Sequence, residues 1–262
     1  MNSLDSIGRT PLSMAAERSE VGYVTTLLTF GADPMLGSYS HQTPLHYAAS
    51  AKEPECIQQL LQAGAEVDSL TNWAQTPLHL AAAYTKDARH ATLLLDASAD
   101  PNIRDRDGMT PLGWTAISNN PGVASVLLDR GADVHDLDLQ GSSTLQQCIR
   151  SNRHEILRLL VPKAPRVKEC FAEHQSIWNI IAVSADAETM QILRQLDFTS
   201  VPADVEVAAD SPALDILLNR SDSSPELTAA FQDLVRRVRA RQHWEVETEE
   251  EEIWEDAMEA PN

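Results

Sequence analysis

The chain has 262 residues, of which 43% are hydrophobic and only 5% aromatic, and its formal net charge is −19. That excess of negative charge argues against direct binding to nucleic acid, which requires a basic surface. No apolar run approaches the roughly 18 residues that a membrane-spanning helix needs, and the first residues lack the basic and then apolar pattern of a secretion signal.

A Thr-Pro-Leu tripeptide recurs along the chain at near-constant spacing. It begins at Thr10, Thr43, Thr76 and Thr110, in steps of 33, 33 and 34 residues. A fixed period of this size is typical of repeat proteins, in which similar units stack in one direction. Each tripeptide predicts a helix start, because a threonine hydroxyl caps a helix and proline suits its first turn.

A second motif follows each tripeptide in phase. A Leu-Leu pair predicts an outer helix, and the small residue after it suits the positive φ of a helix C-cap. Asp5, Asp105 and Asp138 stand five residues before their Thr or Ser, which predicts a hairpin loop there. The turns that follow the Leu-Leu pairs are Gly31-Ala32-Asp33, Gly64-Ala65-Glu66, Ser98-Ala99-Asp100 and Gly131-Ala132-Asp133.

The two motifs together resemble the ankyrin repeat, whose signature is T-P-L-H-x-A in a period of about 33 residues. Repeats two and three carry that signature in full, with His46 and His79, whereas Ser13 and Gly113 take the histidine position in repeats one and four. The resemblance implies an all-α ankyrin-repeat solenoid, with stacked helix-turn-helix repeats, protruding hairpin loops, about six repeats and a C-terminal helical cap. It also implies that both histidines bond to the backbone around the Thr-Pro turn and bind no metal.

The pattern changes within and after these four repeats. Repeat three has one extra residue, which we place at the turn between its helices, around residues 83–87. Ser143-Thr144-Leu145 and Ser176-Ile177-Trp178 keep the spacing without the Thr-Pro, so we expect two degenerate repeats. Ser200–Ser211 is either a loop or a degenerate repeat, and we expect the remnant of a seventh repeat around Ser211-Pro212.

The C-terminal part predicts a cap and a tail. Ser224-Pro225-Glu226 has the pattern of a helix start, and we expect a helix from there to about Arg241 that covers the end of the stack. Trp244–Glu259 holds nine acidic residues and no lysine or arginine, so it predicts disorder when alone. Either this tail is only solvated, or its Ile253, Trp254, Ala257 and Met258 dock on a partner or on the repeats.

These patterns divide the chain into three parts. We expect an ankyrin-repeat solenoid over residues 1–199, with four clear and two degenerate repeats. A degenerate repeat with capping helices follows over residues 200–242, and an acidic tail over residues 243–262.

The family resemblance also predicts a partner-binding face. In ankyrin-like repeats the hairpin tips and the exposed end of the first helix form the concave surface. The tips lie three and four residues before the Thr, and the helix positions lie seven and eight after it. Exposed aromatic residues, Met and Arg are enriched in interface cores. Applied to this chain, the positions give a candidate site of Tyr39, Trp73, Tyr84, Arg106, Met109 and Ile117. The alternative is that Trp73 and Tyr84 pack on their own repeat around the extra residue.

The sequence carries no pattern of a catalytic or metal site. It contains no Gly-x-Ser-x-Gly elbow, no phosphate loop and no ligand-like spacing of His and Cys. Cys56, Cys148 and Cys170 are odd in number, which favours buried thiols in a reducing, intracellular compartment, cytoplasmic or nuclear. We therefore expect no enzyme, no cofactor, no metal and no small-molecule substrate.

Several functions remain compatible with these features. We expect a non-catalytic protein–protein interaction module that binds its partner on the concave face of repeats two to four. The layout of repeats and acidic tail also resembles inhibitors of Rel-type transcription factors, which predicts a regulatory inhibitor of a basic partner. An adaptor for a modifying complex and a fragment of a larger ankyrin array are further alternatives. Repeat one has no preceding cap, so it is adapted to exposure, continues a longer array or is covered by another chain.

Overall fold

A computed structural model of the chain describes residues 2–163, 177–194 and 212–236. The regular structure in these ranges is helical and includes no strand. The tail over residues 243–262 and the segment 200–211 lie outside the described residues. The chain forms two compact units, Met1–Gln147 and Cys148–Asn262. The first holds repeats one to four and the start of the fifth.

The helices follow one another in pairs, an inner and an outer helix in each repeat. The pairs of repeats one to four are α1 (Pro11–Glu17) and α2 (Val21–Thr29), α3 (Pro44–Ala49) and α4 (Glu55–Gln62), α5 (Pro77–Tyr84) and α6 (Arg89–Asp96), and α7 (Pro111–Ser118) and α8 (Pro121–Asp129). Later helices are α9 (Thr144–Arg150), α10 (His154–Leu160), α11 (Ile177–Ser184), α12 (Ala187–Leu193), α13 (Pro212–Leu218) and α14 (225–236). A short 3-10 turn, Val161–Lys163, extends α10.

The start of each inner helix is confirmed as predicted. The four repeat threonines have extended backbones and stand directly before the proline that opens the helix. The Thr10 hydroxyl accepts from the amide of Ser13 at 3.1 Å. The hydroxyls of Thr76 and Thr110 accept from the amides of His79 and Gly113 in the same way. Each bond satisfies an amide that a helix start leaves free, so the tripeptide fixes where the inner helix begins.

The end of each outer helix is also set locally. Gly31, Gly64 and Gly131 have φ values of 80°, 88° and 85°, in the left-handed region that glycine enters without strain. In repeat three Ser98 takes the same position with φ of 69°. The conformation is therefore kept even where the glycine is lost.

The core of the first unit consists of leucine and alanine between stacked helices. Inner helices pack on neighbouring inner helices, and outer helices pack on neighbouring outer helices. Leu45, Leu78 and Leu112, which follow the prolines, are completely buried. The alanine pairs of the inner helices are buried too, and small side chains there allow close approach of successive repeats. This accounts for a stable stack with few aromatic residues.

The extra residue of repeat three lies in the turn between α5 and α6. Repeats one and four use a left-handed residue at this turn, Ser19 with φ of 58° and Asn119 with φ of 53°, whereas Thr85 in repeat three has an extended backbone. The longer turn contacts repeat four, since Lys86 Nζ donates to the carbonyls of Ser118 and Asn119 at 2.9 and 3.1 Å. Asn120 Nδ2 donates to the Thr85 carbonyl. The insertion thereby ties two repeats together.

The second unit keeps the same plan with different residues. Asp186 caps α12 by accepting from the amide of Thr189 at 2.8 Å. Asn152 Nδ2 donates to the Ser184 carbonyl at 2.9 Å, which joins the turns of repeats five and six. The predicted helix start at Ser224 is confirmed, because its hydroxyl accepts from the amide of Leu227 at 3.1 Å. Residues 237–241 of that predicted helix lie outside the described part.

Candidate partner-binding surface

Each hairpin loop is built around one polar side chain at its base. In repeat four, Asp105 accepts through Oδ1 from the amides of Asp107 and Met109 at 3.0 and 2.9 Å. Its own amide donates to the Met109 carbonyl at 2.9 Å, which closes the loop. Gly108 stands in the left-handed region with φ of 78°. The loop is thus a fixed, hydrogen-bonded turn that presents its two tip residues.

The loops of repeats two and three reach the same conformation with other residues. Ser38 and Thr71 replace the aspartate, and Thr71 Oγ1 accepts from the amides of Trp73 and Gln75 at 3.2 Å. His41 and Ala74 replace the glycine, with φ values of 60° and 58°. The sequence predicted the hairpin loops from an aspartate and a glycine. The same loop conformation forms when Ser or Thr replaces the aspartate and His or Ala replaces the glycine.

Backbone hydrogen bonds join the tips of successive loops. In every junction the amide four residues before the repeat's Thr or Ser donates to the carbonyl of the tip in the preceding repeat. The tips therefore lie side by side in a regular row. The four bonds are Tyr39 N to Ile7 O (3.3 Å), Asn72 N to Ser40 O (3.0 Å), Arg106 N to Trp73 O (2.9 Å) and Leu139 N to Asp107 O (2.9 Å).

The tip row presents large side chains to solvent. Tyr39 is 66% exposed and Trp73 is 62% exposed. Arg106 is exposed between Trp73 and Leu139. We define the tip row as Ile7, Tyr39, Trp73, Arg106 and Leu139. Ile7 and Leu139 were not among the predicted site residues, although they occupy the same loop positions.

A second group of predicted residues lies at the ends of inner helices. Tyr84 ends α5 and is 69% exposed, and Ile117 is exposed near the end of α7. The two helices pack directly on each other. Ser118 Oγ also donates to the Ala82 carbonyl at 2.8 Å, which holds the two helix ends together. Tyr84 and Ile117 thus belong to neighbouring helix ends of repeats three and four.

Met109 and its surroundings differ from the rest of the predicted site. Met109 is half-buried, and its methyl group lies 3.1 Å from where a Cβ on Gly113 would stand. Because glycine replaces the histidine of the motif there, the methionine fills space above α7. Trp114 is half-buried as well, and its indole Nε1 donates to Asp105 Oδ2 at 2.8 Å. Both side chains support the loop.

The two motif histidines have the structural role that the resemblance implies. His46 Nδ1 accepts from the amide of Thr43 at 3.1 Å, and its Nε2 donates to the Gln75 carbonyl at 3.0 Å. His79 repeats both contacts one repeat later. Both rings are fully buried, and burial lowers the pKa of His46 to about 4. Each neutral ring therefore links its own helix start to the next loop.

The described residues contain no cluster of side chains that could hold a metal ion. Burial raises the pKa of Cys56 to about 11 and that of Cys148 to about 12, so both thiols stay protonated. Cys170 lies outside the described residues. No helix in the described ranges is long and apolar enough to cross a membrane.

The comparison with protein families agrees with the stacked helix pairs. The family model described as ankyrin repeats, in three copies, matches residues 1–71, 49–138 and 78–169. The chain belongs to the ankyrin repeat proteins. Proteins of this family are generally non-catalytic interaction modules, and this ankyrin repeat chain has the helix starts, loops and buried histidines of the fold.

Similar proteins come from several organisms. The chain is 26% identical over 140 residues to the putative ankyrin repeat protein FPV219 of fowlpox virus, which covers 50% of this chain and 32% of the viral protein. It is 39% identical over 67 residues to the potassium channel AKT2/3 of Arabidopsis thaliana, and 35% identical over 94 residues to the channel pyrexia of Drosophila melanogaster. Those matches cover 26% and 36% of this chain but only 8% and 10% of the two channels. The ankyrin chain therefore spans no more than a third of the length of these relatives.

Proposed function

We propose that this ankyrin repeat protein is a non-catalytic module that binds a protein partner through the tip row and the adjoining helix ends of repeats two to four. The observation that carries the proposal is the row of large exposed side chains on hydrogen-bonded tips. Tyr39, Trp73 and Tyr84 each expose more than 60% of their surface. Exposed aromatic residues on a rigid frame are the usual anchors of a protein interface.

The fixed loops make this surface suitable for recognition. Because the tips are joined by backbone hydrogen bonds, little conformational entropy is lost when a partner binds. Arg106 places a cation beside Trp73, and Arg is itself enriched at interface centres. The proposed partner is a protein and not nucleic acid, since the net charge of −19 disfavours binding to a polyanion. We propose no membrane and no small-molecule substrate as its target. Buried, protonated cysteines are compatible with an intracellular location.

Affinity capture from native lysate with two baits tests the proposal. One bait is the unchanged chain, and the other carries Tyr39→Ala, Trp73→Ala and Tyr84→Ala. These side chains are exposed, so the variant should keep its circular dichroism spectrum and melting temperature. We expect at least one protein to be captured by the unchanged chain alone. Identical captures from both folded baits would refute the tip row as the binding surface.

A third bait separates the tip row from the acidic tail. It lacks residues 243–262 and keeps the repeats unchanged. Binding through the tip row survives this deletion and depends weakly on salt. Binding driven by the tail would disappear with the deletion and fall steeply between low and physiological salt.

A further inference from the structure

Repeat four lacks the side chain that joins repeats two and three to the repeats after them. His46 Nε2 donates to the Gln75 carbonyl at 3.0 Å, and His79 Nε2 donates to the Met109 carbonyl at 3.1 Å. Each of these carbonyls also accepts from a backbone amide of its own loop, so it makes two hydrogen bonds. Gly113 takes the histidine position in repeat four and has no side chain that could donate.

The matching carbonyl after repeat four belongs to Ser142, which stands directly before Ser143 at the start of repeat five. It accepts from the Asp138 amide at 3.0 Å, as its counterparts accept from their loop amides. Among the described residues no second donor reaches it. The junction between repeats four and five is therefore one hydrogen bond short of the two junctions before it.

A small cavity lies beside Gly113 at this junction. Its volume is about 10 Å³, which is about the space that one water molecule needs. The lining is mainly polar and comes from both repeats, with Thr110 and Gly113 on one side and Ser142, Thr144 and Gln147 on the other. Polar walls and this size suit a single water molecule.

Gln147 directs a buried oxygen into the cavity. Its Nε2 donates to Asp138 Oδ2 at 2.9 Å. A carboxylate only accepts, so the amide nitrogen must face Asp138 and the amide oxygen must face away from it. That Oε1 is buried and has no hydrogen-bond partner among the described residues. It lies 3.9 Å from where a Cβ on Gly113 would stand, and Thr144 Oγ1 lies 3.8 Å from the same point.

We propose that this cavity binds one ordered water molecule, which takes the place of the missing histidine ring. We define the water site as Thr110, Ser142, Thr144 and Gln147. The water donates to Gln147 Oε1 and to the Ser142 carbonyl, and it accepts from the hydroxyls of Thr110 and Thr144. A buried water usually makes about three hydrogen bonds, and a buried amide oxygen without a partner is costly. The water removes that cost and completes the junction.

The bound water joins repeat four to repeat five as histidine joins the earlier repeats. Thr110 caps the start of α7, and its counterparts Thr43 and Thr76 place their hydroxyls 2.9 Å from the ring Nδ1. Ser142 closes the loop that carries Leu139 of the tip row. The water thus links a helix start to the next loop. The water site does not depend on partner binding through the tip row, so either proposal can fail without the other.

A high-resolution crystal structure of the full chain tests the water site directly. We expect one water at hydrogen-bond distance, about 2.7 to 3.2 Å, from Gln147 Oε1, Thr144 Oγ1 and the Ser142 carbonyl. An empty cavity would overturn the proposal, as would a Gln147 oxygen that bonds to another protein group. A metal cation in the cavity, recognised by oxygen atoms at about 2.4 Å, would overturn it too.

Two substitutions that share the same Cβ test the site in solution. Gly113→Ala and Gly113→Ser both place that atom 3.1 Å from the Met109 methyl group, so both variants meet the same steric contact. The alanine methyl displaces the water and leaves Gln147 Oε1 without a partner. The serine hydroxyl supplies a polar group in its place, as Ser13 bonds to the Thr10 hydroxyl at 3.1 Å in repeat one.

Urea unfolding compares the two variants. Although alanine is the better helix former, the folding equilibrium constant of Gly113→Ala should be roughly ten-fold lower than that of Gly113→Ser. The matched control is the same pair at Gly22 on α2, where a Cβ meets no atom within 4 Å and alanine should be at least as stable as serine. Equal stability of the two variants at Gly113 would overturn the proposal, as would the same preference for serine at Gly22.

Discussion

At the scale of single residues, one position shows how a repeat junction depends on the choice of amide or carboxylate. Asn102 Oδ1 accepts from the Asp133 amide at 2.8 Å, and its Nδ2 donates to the Gly131 carbonyl at 3.2 Å. One repeat earlier Asp68 takes this position and accepts from the Asp100 amide at 3.1 Å. A carboxylate has no N–H to donate, so it makes only half of the asparagine's contacts.

Asp68→Asn should stabilise the protein at neutral pH by about 1 kcal/mol. Burial and the neighbouring charges of Asp100 and Glu66 raise the pKa of Asp68, so its charged form is disfavoured in the folded state. The amide removes that charge and supplies the missing donor. Urea unfolding measures the difference.

The opposite change provides the matched control for this position. Asn102→Asp should lose a similar free energy of unfolding, because it removes a donor and adds a negative charge. The raised pKa of Asp68 also fixes the pH dependence. The ionised carboxyl of Asp68 lowers the free energy of unfolding, and the protonated carboxyl does not. The stability gained by Asp68→Asn should therefore shrink as the pH falls toward 3.8. A gain that is equal at all pH values would contradict the role given to the charge.

At the scale of elements, the inner helices combine local capping with a link to the next repeat. In repeats two and three a histidine caps the helix and also bonds to the next repeat. In repeat five a glutamine stands at the position of that histidine. The amide of Ser143 donates to Gln146 Oε1 at 2.9 Å, and the Ser143 hydroxyl accepts from the Gln146 amide at 3.2 Å. Glutamine therefore reproduces the cap without a titratable ring.

Acid should destabilise the histidine-capped repeats. Burial lowers the pKa of His46 from 6.5 to about 4, and the pKa of His79 is lowered for the same reason. The unfolded chain takes up a proton at each site below pH 6.5, whereas the folded chain resists until a lower pH. Stability is full above pH 6.5 and is lost as the pH falls toward 4. His46 alone should contribute a loss of about 2 kcal/mol between pH 7 and pH 5.

A substitution taken from repeat five tests this pH dependence. His46→Gln keeps a side chain that can accept from the Thr43 amide but cannot become charged. Its free energy of unfolding should fall less than that of the unchanged protein between neutral and mildly acidic pH. Parallel curves for the two proteins would show that His46 does not cause the acid loss.

Asn120 shows how much the turn between helices contributes. Its side chain is buried, accepts from the Val123 amide at 3.3 Å and donates to carbonyls of repeat three. Asn120→Ala should lower the free energy of unfolding by about 2 to 3 kcal/mol, because it removes a helix cap and leaves a buried carbonyl unpaired. The same change at the exposed tip, Asn72→Ala, should lose about 1 kcal/mol or less. Equal losses in denaturant titrations would contradict the importance of the turn.

The sequence predicts those elements whose cause is local. Helix starts follow from Thr, Pro and the residues just after them, and Ser224 could be assigned in the same way. Ser38 and Thr71 were missed as loop bases because only aspartate was sought, yet they stand in register with Asp105. The half-burial of Met109 depends on space that Gly113 leaves in three dimensions, so the sequence pattern alone placed it on the surface.

At the scale of the whole molecule, the repeat plan places similar positions side by side. The tip row arises because every loop has the same length and each tip bonds to the next. The sequence located this row by counting from the threonines, although whether it binds a partner stays a prediction. The water site appears only when equivalent positions are compared for hydrogen bonds, which a single chain read in order does not reveal.

The central claim is that a protein partner docks on the tip row of repeats two to four. Hydrogen–deuterium exchange of the chain, alone and bound to the captured partner, tests it most directly. The account predicts slower exchange in the complex at the tips over residues 39–40, 72–73 and 106–107, and at the helix ends that carry Tyr84 and Ile117. Slower exchange confined to other surfaces, with unchanged exchange at these tips, would contradict it.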